Sequence, residues 1–128
     1  MDYLPLPGTA VEDLDTPAII VDLDIAESNI KAMADFAKEN GVSMRPHMKT
    51  GKSPFWARKL MDAGAIGVCA AKVGEAEILA DGGIPEILIP NQVVGSTKIR
   101  RLFGVSARSN VTVAVDSHEN VAELSEAA

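Results

Sequence analysis

The stretch of sequence that decides the fold is residues 66–90, IGVCAAKVGEAEILADGGIPEILIP. It begins with an apolar run at 66–70, continues with an amphipathic stretch at about 74–81 that ends at two glycines, and closes with another apolar run at 87–90. Two apolar runs separated by one helical stretch are typical of a βαβ unit, whose strands are parallel and buried. The stretch therefore predicts an α/β fold.

The same alternation repeats about five times from Thr16 onward. Successive apolar runs start roughly 20 to 25 residues apart, which is the length of a compact βα unit with short loops. The predicted strands are residues 18–23, 42–45, 66–70, 87–90 and 111–115. The predicted helices begin at a capping box of Asp24 and Glu27, at Ser53 with Pro54, near Gly74, at Ser96 and near Ser117. Residues 1–15 are predicted to be an irregular lead-in to a domain that spans 16–128.

Two architectures can hold this many βα units. One is a complete flavodoxin-like or receiver domain, and the other is the first five units of a (β/α)8 TIM barrel, which needs about 250 residues. A receiver domain would need an Asp after its third strand and a Lys after its fifth, where this chain has Ala70-Ala71 and Asp116. The sequence therefore favours the barrel. The last predicted helix reaches Ala128 without a stop signal, so we expect either a fragment or a naturally truncated product.

Composition narrows the class of protein. The chain has 128 residues, of which 47% are hydrophobic and 23% charged, and this balance is typical of a folded domain. The net charge of -6 argues against nucleic acid and anionic membranes as partners. No signal peptide or long apolar run is present, so we predict a cytoplasmic protein. The single cysteine, Cys69, excludes an internal disulfide and is predicted to be a buried apolar residue.

The run SMRPHMKT at 43–50 contains the strongest candidate for chemistry, Lys49. In an extended segment Arg45, His47 and Lys49 lie on one face, because side chains alternate between the two faces. Two cationic or titratable side chains therefore precede the lysine on its own side. A lysine that loses its proton can form a Schiff base with a carbonyl, which is how pyridoxal phosphate (PLP) is held. An ordinary loop charge is the alternative that these residues leave open.

Four motifs in this order resemble the family of D-threonine aldolase, D-3-hydroxyaspartate aldolase and D-serine dehydratase. They are DTPA at 15–18 leading into VDL at 21–23, RPHMKT at 45–50, VCAAKVGEAE at 68–77 and NQVVG at 91–95. The resemblance extends from about Asp13 to the end of the chain. It implies the alanine-racemase-type barrel, which is fold type III of the PLP enzymes.

The resemblance also implies roles for five residues. Lys49 matches the PLP Schiff-base lysine at the carboxyl end of the second barrel strand. His47 is predicted to be catalytic, and Arg45 to shape the cofactor pocket with it. Asn91 and Gln92 are predicted to hydrogen-bond the cofactor or substrate. The open alternatives are that Arg45 and His47 are structural polar residues of the barrel interior, and that Asn91 and Gln92 cap the next helix.

Other polar residues near strand ends receive weaker assignments. Lys72 is either a charge near the cofactor or a solvated residue. Asp116 is interpreted as a helix cap beside Ser117, and His118 as a surface residue of the last helix. Relatives often carry a second histidine two residues after the PLP lysine, where this chain has Gly51.

The function implied by the resemblance is that of a PLP-dependent lyase. It would act on a small-molecule D-β-hydroxy amino acid, cleaving it to glycine and an aldehyde as D-threonine aldolase does. The family also implies a divalent metal (Mn, Zn or Mg) whose ligands lie outside this chain, and a homodimer is the candidate assembly. This chain alone is expected to be an incomplete enzyme.

Three alternatives stay open at this point. A D-serine dehydratase would eliminate ammonia, and a PLP-carrier protein would bind the cofactor without turnover. An amino-acid racemase would need an opposing base, usually a tyrosine, and Tyr3 is the only tyrosine of this chain.

Overall fold

The computed structural model describes residues 4–128, so Tyr3 lies outside the described part. In chain order the elements are a 3-10 helix at Val11–Asp13, α1 at Leu23–Glu39, α2 at Pro54–Asp62, β1 at Val68–Cys69, α3 at Val73–Asp81, β2 at Glu86–Ile89, α4 at Ser96–Ser106, β3 at Asn110–Val113 and α5 at His118–Ala127. The short 3-10 helix is the one regular element that the structure describes within the predicted lead-in.

The strands form one parallel sheet in the order β1-β2-β3, with α3 and α4 as crossovers. Residues 44–48 extend this sheet beyond β1. Met48 N donates a hydrogen bond to Cys69 O at 2.8 Å, and Cys69 N donates to Pro46 O at 2.7 Å. His47 is thereby the parallel partner of Cys69. The predicted strand at 42–45 thus pairs a few residues later than expected, and only as an isolated bridge.

The predicted first strand, residues 18–23, is wrong. No pairing is recorded for it within the described part of the chain, Ile19 is 96% exposed, and Leu23 already begins α1. An apolar run becomes a strand only where a neighbouring strand pairs with it and a surface buries its side chains. The predicted cap at Asp24 is also wrong, because Asp22 Oδ1 accepts the hydrogen bond from Ile25 N at 3.0 Å.

Two of the predicted helix starts are confirmed by their caps. Ser53 Oγ accepts a hydrogen bond from Phe55 N at 3.2 Å and Pro54 is the first residue of α2, while Ser117 Oγ accepts from Asn120 N at 3.1 Å. The predicted cap at Ser96 is wrong. Gly95 is the N-cap residue there, with a φ of 88° that favours glycine, and Ser96 is already helical.

The apolar core lies between the helices and one face of the sheet, which we call the outer face. Val68, Ile87 and Ile89 point to this face and are at most 1% exposed. They pack against buried side chains of the helices, namely Ala57, Ala76, Leu79, Ile99, Leu102 and Val105. The opposite face of the sheet, the inner face, is therefore the one available for other uses. Among residues 4–128, no helix has both the length and the apolar character needed to cross a membrane.

Candidate active site

The inner face is ordered in rows, because paired residues of parallel strands lie side by side on the same face. The pairing places His47 beside Cys69, Cys69 beside Leu88 and Leu88 beside Thr112. We call these four residues the middle row. Two residues further along each strand, the chains leave the sheet at its carboxyl end, and these loops form the mouth of the site.

A polar cluster lies on the amino-terminal side of the middle row. Asn110 Nδ2 is 3.1 Å from both carboxylate oxygens of Glu86, its partner on the adjacent strand. Arg45 and Glu86 pack closely against Gly67, since an added Cβ there would be 2.5 Å from Arg45 Nη1 and 2.7 Å from Glu86 Cβ. Arg45 therefore lies on the inner face as predicted, near Glu86. Four residues of extended chain, about 13 Å, separate it from Lys49, and its cofactor contact stays a prediction.

Lys49 lies in the turn that follows residues 44–48, at the carboxyl end of the sheet. Lys52 N donates to Met48 O at 2.8 Å and closes this turn. Met48 is 3% exposed and belongs to the core on the outer face, while His47 before it pairs with Cys69 and lies on the inner face. Lys49 itself is exposed and forms no ion pair within residues 4–128.

His47 contacts the lysine through the backbone. Its Nδ1 accepts a hydrogen bond from Lys49 N at 3.2 Å, and the ring is half-buried. An imidazole nitrogen that accepts a hydrogen bond carries no proton, so the neutral ring has its proton on Nε2. The sequence predicted that these two residues share a face, but it did not predict this hydrogen bond.

Asn91 and Gln92 follow β2 at the same end of the sheet. Asn91 Nδ2 donates to Ala71 O at 2.9 Å and joins the loops that follow β1 and β2. Lys49 and Asn91 leave strands that flank β1, so about two strand spacings, roughly 10 Å, separate their backbones. Gln92 is exposed. Neither residue caps α4, since Gly95 occupies that position, so the capping alternative is wrong for both.

The structure also corrects or refines the weaker assignments. The side chain of Ser117, not of Asp116, caps α5, so the predicted cap at Asp116 is wrong. Lys72 is the exposed N-cap residue of α3 and makes no side-chain capping bond. Burial raises the pKa of the Cys69 thiol, and the nearby charge of Arg45 lowers it by a smaller amount. A thiol with a raised pKa is a poor nucleophile, in agreement with the predicted apolar role.

Two residues that the sequence did not single out hydrogen-bond the loops of the mouth. Glu75 Oε2 accepts a hydrogen bond from Ala71 N at 2.8 Å, and the sequence contains no capping-box signal for it, because the N-cap residue is Lys72 and not Ser or Thr. Asn120 is 2% exposed and donates from Nδ2 to Val93 O at 2.9 Å. It therefore fixes the loop that carries Gln92, and no pattern in the sequence marks it as buried.

A cavity of about 360 Å³ lies near this turn but on the other side of the sheet. Its walls include Met48, Lys52, Lys72 and the start of α3. Because Met48 belongs to the outer face, its side chain separates the cavity from the inner face. We therefore do not count it as part of the candidate site. Within residues 4–128, no cluster of three or more His, Cys, Asp or Glu side chains is arranged to hold a metal ion.

The family is decided by comparison with known proteins. Residues 21–128 match the family model described as alanine racemase, N-terminal domain. The chain belongs to this family. The resemblance noted from the motifs and the prediction of a TIM-barrel-type α/β fold are both confirmed, and the described chain corresponds to a part of that barrel.

Three relatives are especially informative. The 3-hydroxy-D-aspartate aldolase of Paracoccus denitrificans is 43% identical over 99% of this chain and 33% of its own length. The crystal structure of D-threonine aldolase from Filomicrobium marinum matches with a TM-score of 0.89 and 47% identity, covering 91% of this chain and 32% of that one. D-threo-3-hydroxyaspartate dehydratase from Delftia sp. HT23 has a TM-score of 0.80 and 31% identity, covering 88% and 30%. The chain thus spans about a third of the length of each relative.

Proposed function

We propose that this chain supplies the cofactor-anchoring part of a PLP-dependent lyase that cleaves D-β-hydroxy amino acids to glycine and an aldehyde. The observation that carries the proposal is the position of Lys49. It occupies an exposed turn at the carboxyl end of parallel strands, where barrels of this type build their active sites. Similarity to aldolases at 43% and 47% identity supports the reaction class.

The described residues fit the covalent anchor of the cofactor. The Lys49 amine has no carboxylate partner in residues 4–128, so no ion pair must break before it reacts. Asn91 keeps its amide oxygen as an acceptor after its nitrogen has bound Ala71 O, and Gln92 offers a whole exposed amide. Amides of this kind can orient a phenolic or hydroxyl group by accepting and donating hydrogen bonds. Lys49 would therefore hold the cofactor, and Asn91 and Gln92 would orient it or the substrate.

Lys49 would then have two tasks in the reaction. When bound, PLP supplies a conjugated ring that accepts the electrons of a bond at the substrate Cα. Lys49 Nζ would hold the cofactor until substrate binds. Once free, the same amine would be placed to deliver a proton to Cα, which completes glycine after the Cα–Cβ bond has broken. The proton of the β-hydroxyl must leave to a base as the aldehyde forms.

The remaining expectations belong to the whole protein. We propose a divalent metal that holds the β-hydroxyl, with ligands outside residues 4–128. The homodimer and the cytoplasmic location also stay predictions. A racemase and a PLP carrier are less well supported. The matching family model is described as an alanine racemase domain, but the three individual relatives reported above are two aldolases and a dehydratase.

A dehydratase is the second candidate, favoured by the match to D-threo-3-hydroxyaspartate dehydratase at 31% identity. Both reactions need the same lysine and the same cofactor. They differ in the bond that breaks, since a dehydratase loses the β-hydroxyl and then ammonia while an aldolase breaks Cα–Cβ. Product analysis with D-threonine therefore separates them: glycine and acetaldehyde indicate an aldolase, and ammonia with a 2-oxo acid indicates a dehydratase.

The covalent anchor is tested before turnover. The protein is incubated with PLP and reduced with borohydride, and the modified lysine is located by peptide mass spectrometry. We expect modification at Lys49, with loss of this peptide adduct in Lys49→Ala and no loss in the matched Lys52→Ala variant. Preferential modification of another lysine in the wild-type protein would contradict the proposal. Glycine release from D-threonine with added manganese, by the full-length protein, then tests the reaction.

A further inference from the structure

The hydrogen bond between His47 Nδ1 and Lys49 N supplies an acceptor for the backbone N–H of Lys49. Met48 N donates to Cys69 O of β1, and the chain then enters the turn that Lys52 N closes. Among residues 4–128, no backbone carbonyl is paired with Lys49 N, and the imidazole of His47 supplies its acceptor at 3.2 Å. The ring thus replaces a ladder bond at the point where the strand ends.

We propose that His47 is a positioning residue for Lys49, acting through the backbone rather than by proton transfer. The turn that carries Lys49 is held by three hydrogen bonds. Met48 N donates to Cys69 O, Lys52 N donates to Met48 O, and Lys49 N donates to His47 Nδ1. The first two fix the entry and the exit of the turn, and only the third acts on the lysine itself. This inference rests on the proposed function of Lys49 as the anchor.

The hydrogen bond also identifies Nδ1 as the nitrogen of His47 that the positioning role requires. Nδ1 must be unprotonated to accept, so the proton of the neutral ring lies on Nε2. His47 lies beside Cys69 in the middle row, whose thiol is itself close to Arg45 O at 3.5 Å. The position is half-buried, which limits the competition from water for Nδ1. A side chain that places an acceptor at Nδ1 should therefore substitute for histidine, and one that places its acceptor at Nε2 should not.

The first test needs no cofactor. Ring ¹⁵N chemical shifts of the protein at neutral pH distinguish a protonated from an unprotonated Nδ1. The chain has two histidines, and the exposed His118 is assigned with a His118→Gln variant. We expect His47 to have an unprotonated Nδ1 and a protonated Nε2. A His47 ring with its proton on Nδ1 would overturn the proposal, whatever the outcome of the labelling experiment.

The second test compares two amide substitutions. His47→Asn places an amide oxygen near the position of Nδ1, whereas His47→Gln places its amide near Nε2. We measure the initial rate of PLP attachment to Lys49 by borohydride trapping. Loss of one such hydrogen bond predicts about a tenfold lower rate in His47→Gln. His47→Asn should restore the rate to within about threefold of the wild type, and His118→Gln should match the wild type.

The outcomes separate this inference from the proposed function. If wild-type Lys49 is not modified by PLP, the proposed function fails, and the ¹⁵N shifts then test only the hydrogen bond between His47 and the backbone of Lys49. If Lys49 is modified but His47→Asn is as slow as His47→Gln, the positioning role is wrong. If both variants are as fast as the wild type, the hydrogen bond has no influence on the lysine and the inference is likewise wrong. Should either variant fail to fold, a wild-type His47 ring with its proton on Nδ1 would still overturn the inference.

Discussion

The two faces of the sheet are made by alternate residues of the same strands, yet they have opposite character. On the outer face Ile87 and Ile89 are at most 1% exposed and lie in a continuous apolar core. On the inner face their neighbour Leu88 is half-buried and its partner Thr112 is exposed. The outer face therefore supplies the packing free energy, while the inner face is free to carry His47 and the turn with Lys49. This division gives four predictions.

The largest effect is expected from Ile87→Ala, which removes a side chain from the centre of the outer face. Truncating a fully buried isoleucine costs about 3 kcal/mol of unfolding free energy. Leu88→Ala, one residue later on the inner face, should cost less than half as much, because its side chain is already partly hydrated. Urea unfolding of the two variants measures the difference. Equal losses would mean that the inner face is packed as tightly as the outer one.

A smaller effect is expected from Gly67→Ala, beside the polar cluster of the inner face. Gly67 has a φ of 147°, and an added Cβ would lie 2.8 Å from the backbone oxygen of Glu86. Backbone strain and this contact together should cost about 2 kcal/mol. Gly64→Ala is the control, since its φ of 107° imposes strain while the space around it is open. Thermal unfolding should show a clearly smaller loss for Gly64→Ala, and an equal loss would assign the whole effect to strain.

The third prediction concerns the helices that cover the outer face. Ser117→Ala removes the cap of α5 and should cost about 1 kcal/mol, because the N–H of Asn120 loses its acceptor. Ser96→Ala should be nearly neutral, since Ser96 lies inside α4 and makes no capping bond. Urea midpoints of the two variants provide the comparison. A cost for Ser96→Ala as large as that for Ser117→Ala would contradict the capping assignment.

The smallest effect is expected on the solvent side of the helices, where Arg101 of α4 binds Glu77 of α3. Arg101 Nε and Nη2 donate to the carboxylate at 2.8 and 2.5 Å, and these hydrogen bonds lower the pKa of Glu77. A lowered pKa adds stability above the ordinary glutamate pKa of about 4.3 and loses it as the pH falls through the folded value. Arg101→Gln should therefore lower the urea midpoint at pH 7.

The effect of Arg101→Gln on the urea midpoint should also depend on pH. Once the pH falls below the lowered pKa of Glu77, the carboxylate becomes protonated, so the urea midpoints of wild type and Arg101→Gln should converge. Lys31→Gln is the control, because Lys31 pairs with Asp35 in an exposed contact within α1. Its effect should be close to zero at both pH values. A deficit of Arg101→Gln that persists unchanged in acid would show that its cause is packing rather than the ion pair.

The parts of the fold that sequence predicted well are those whose signals are local. Ser53 with Pro54 begins α2 because the cap and the fixed φ of proline act within one turn. The βαβ unit around α3 is confirmed, since both of its strands are buried by adjacent elements. Ser96 was a false cap because Gly95 adopts a φ of 88°, a backbone state that composition does not reveal.

The parts that sequence could not predict depend on contacts between distant residues. Ile19 belongs to a strongly apolar run, yet no pairing within the described residues makes it a strand. At the candidate site, alternation correctly placed Arg45 and His47 on one face. It could not show that Asn120 would reach Val93 O, or that the ring of His47 would bind the backbone of Lys49. Those contacts follow from how α5 and the turn pack, which no local pattern contains.

The pairing of His47 with Cys69 has a consequence for changes in chain length. A strand presents its side chains in steps of two, so deleting one residue within 44–48 exchanges the roles of its two faces. Met48 would then be directed away from the hydrophobic layer, and the imidazole of His47 into it. Deleting two residues would leave the remaining side chains on their original faces. Natural insertions and deletions in homologues should therefore accumulate in the connecting loops and leave this segment at constant length.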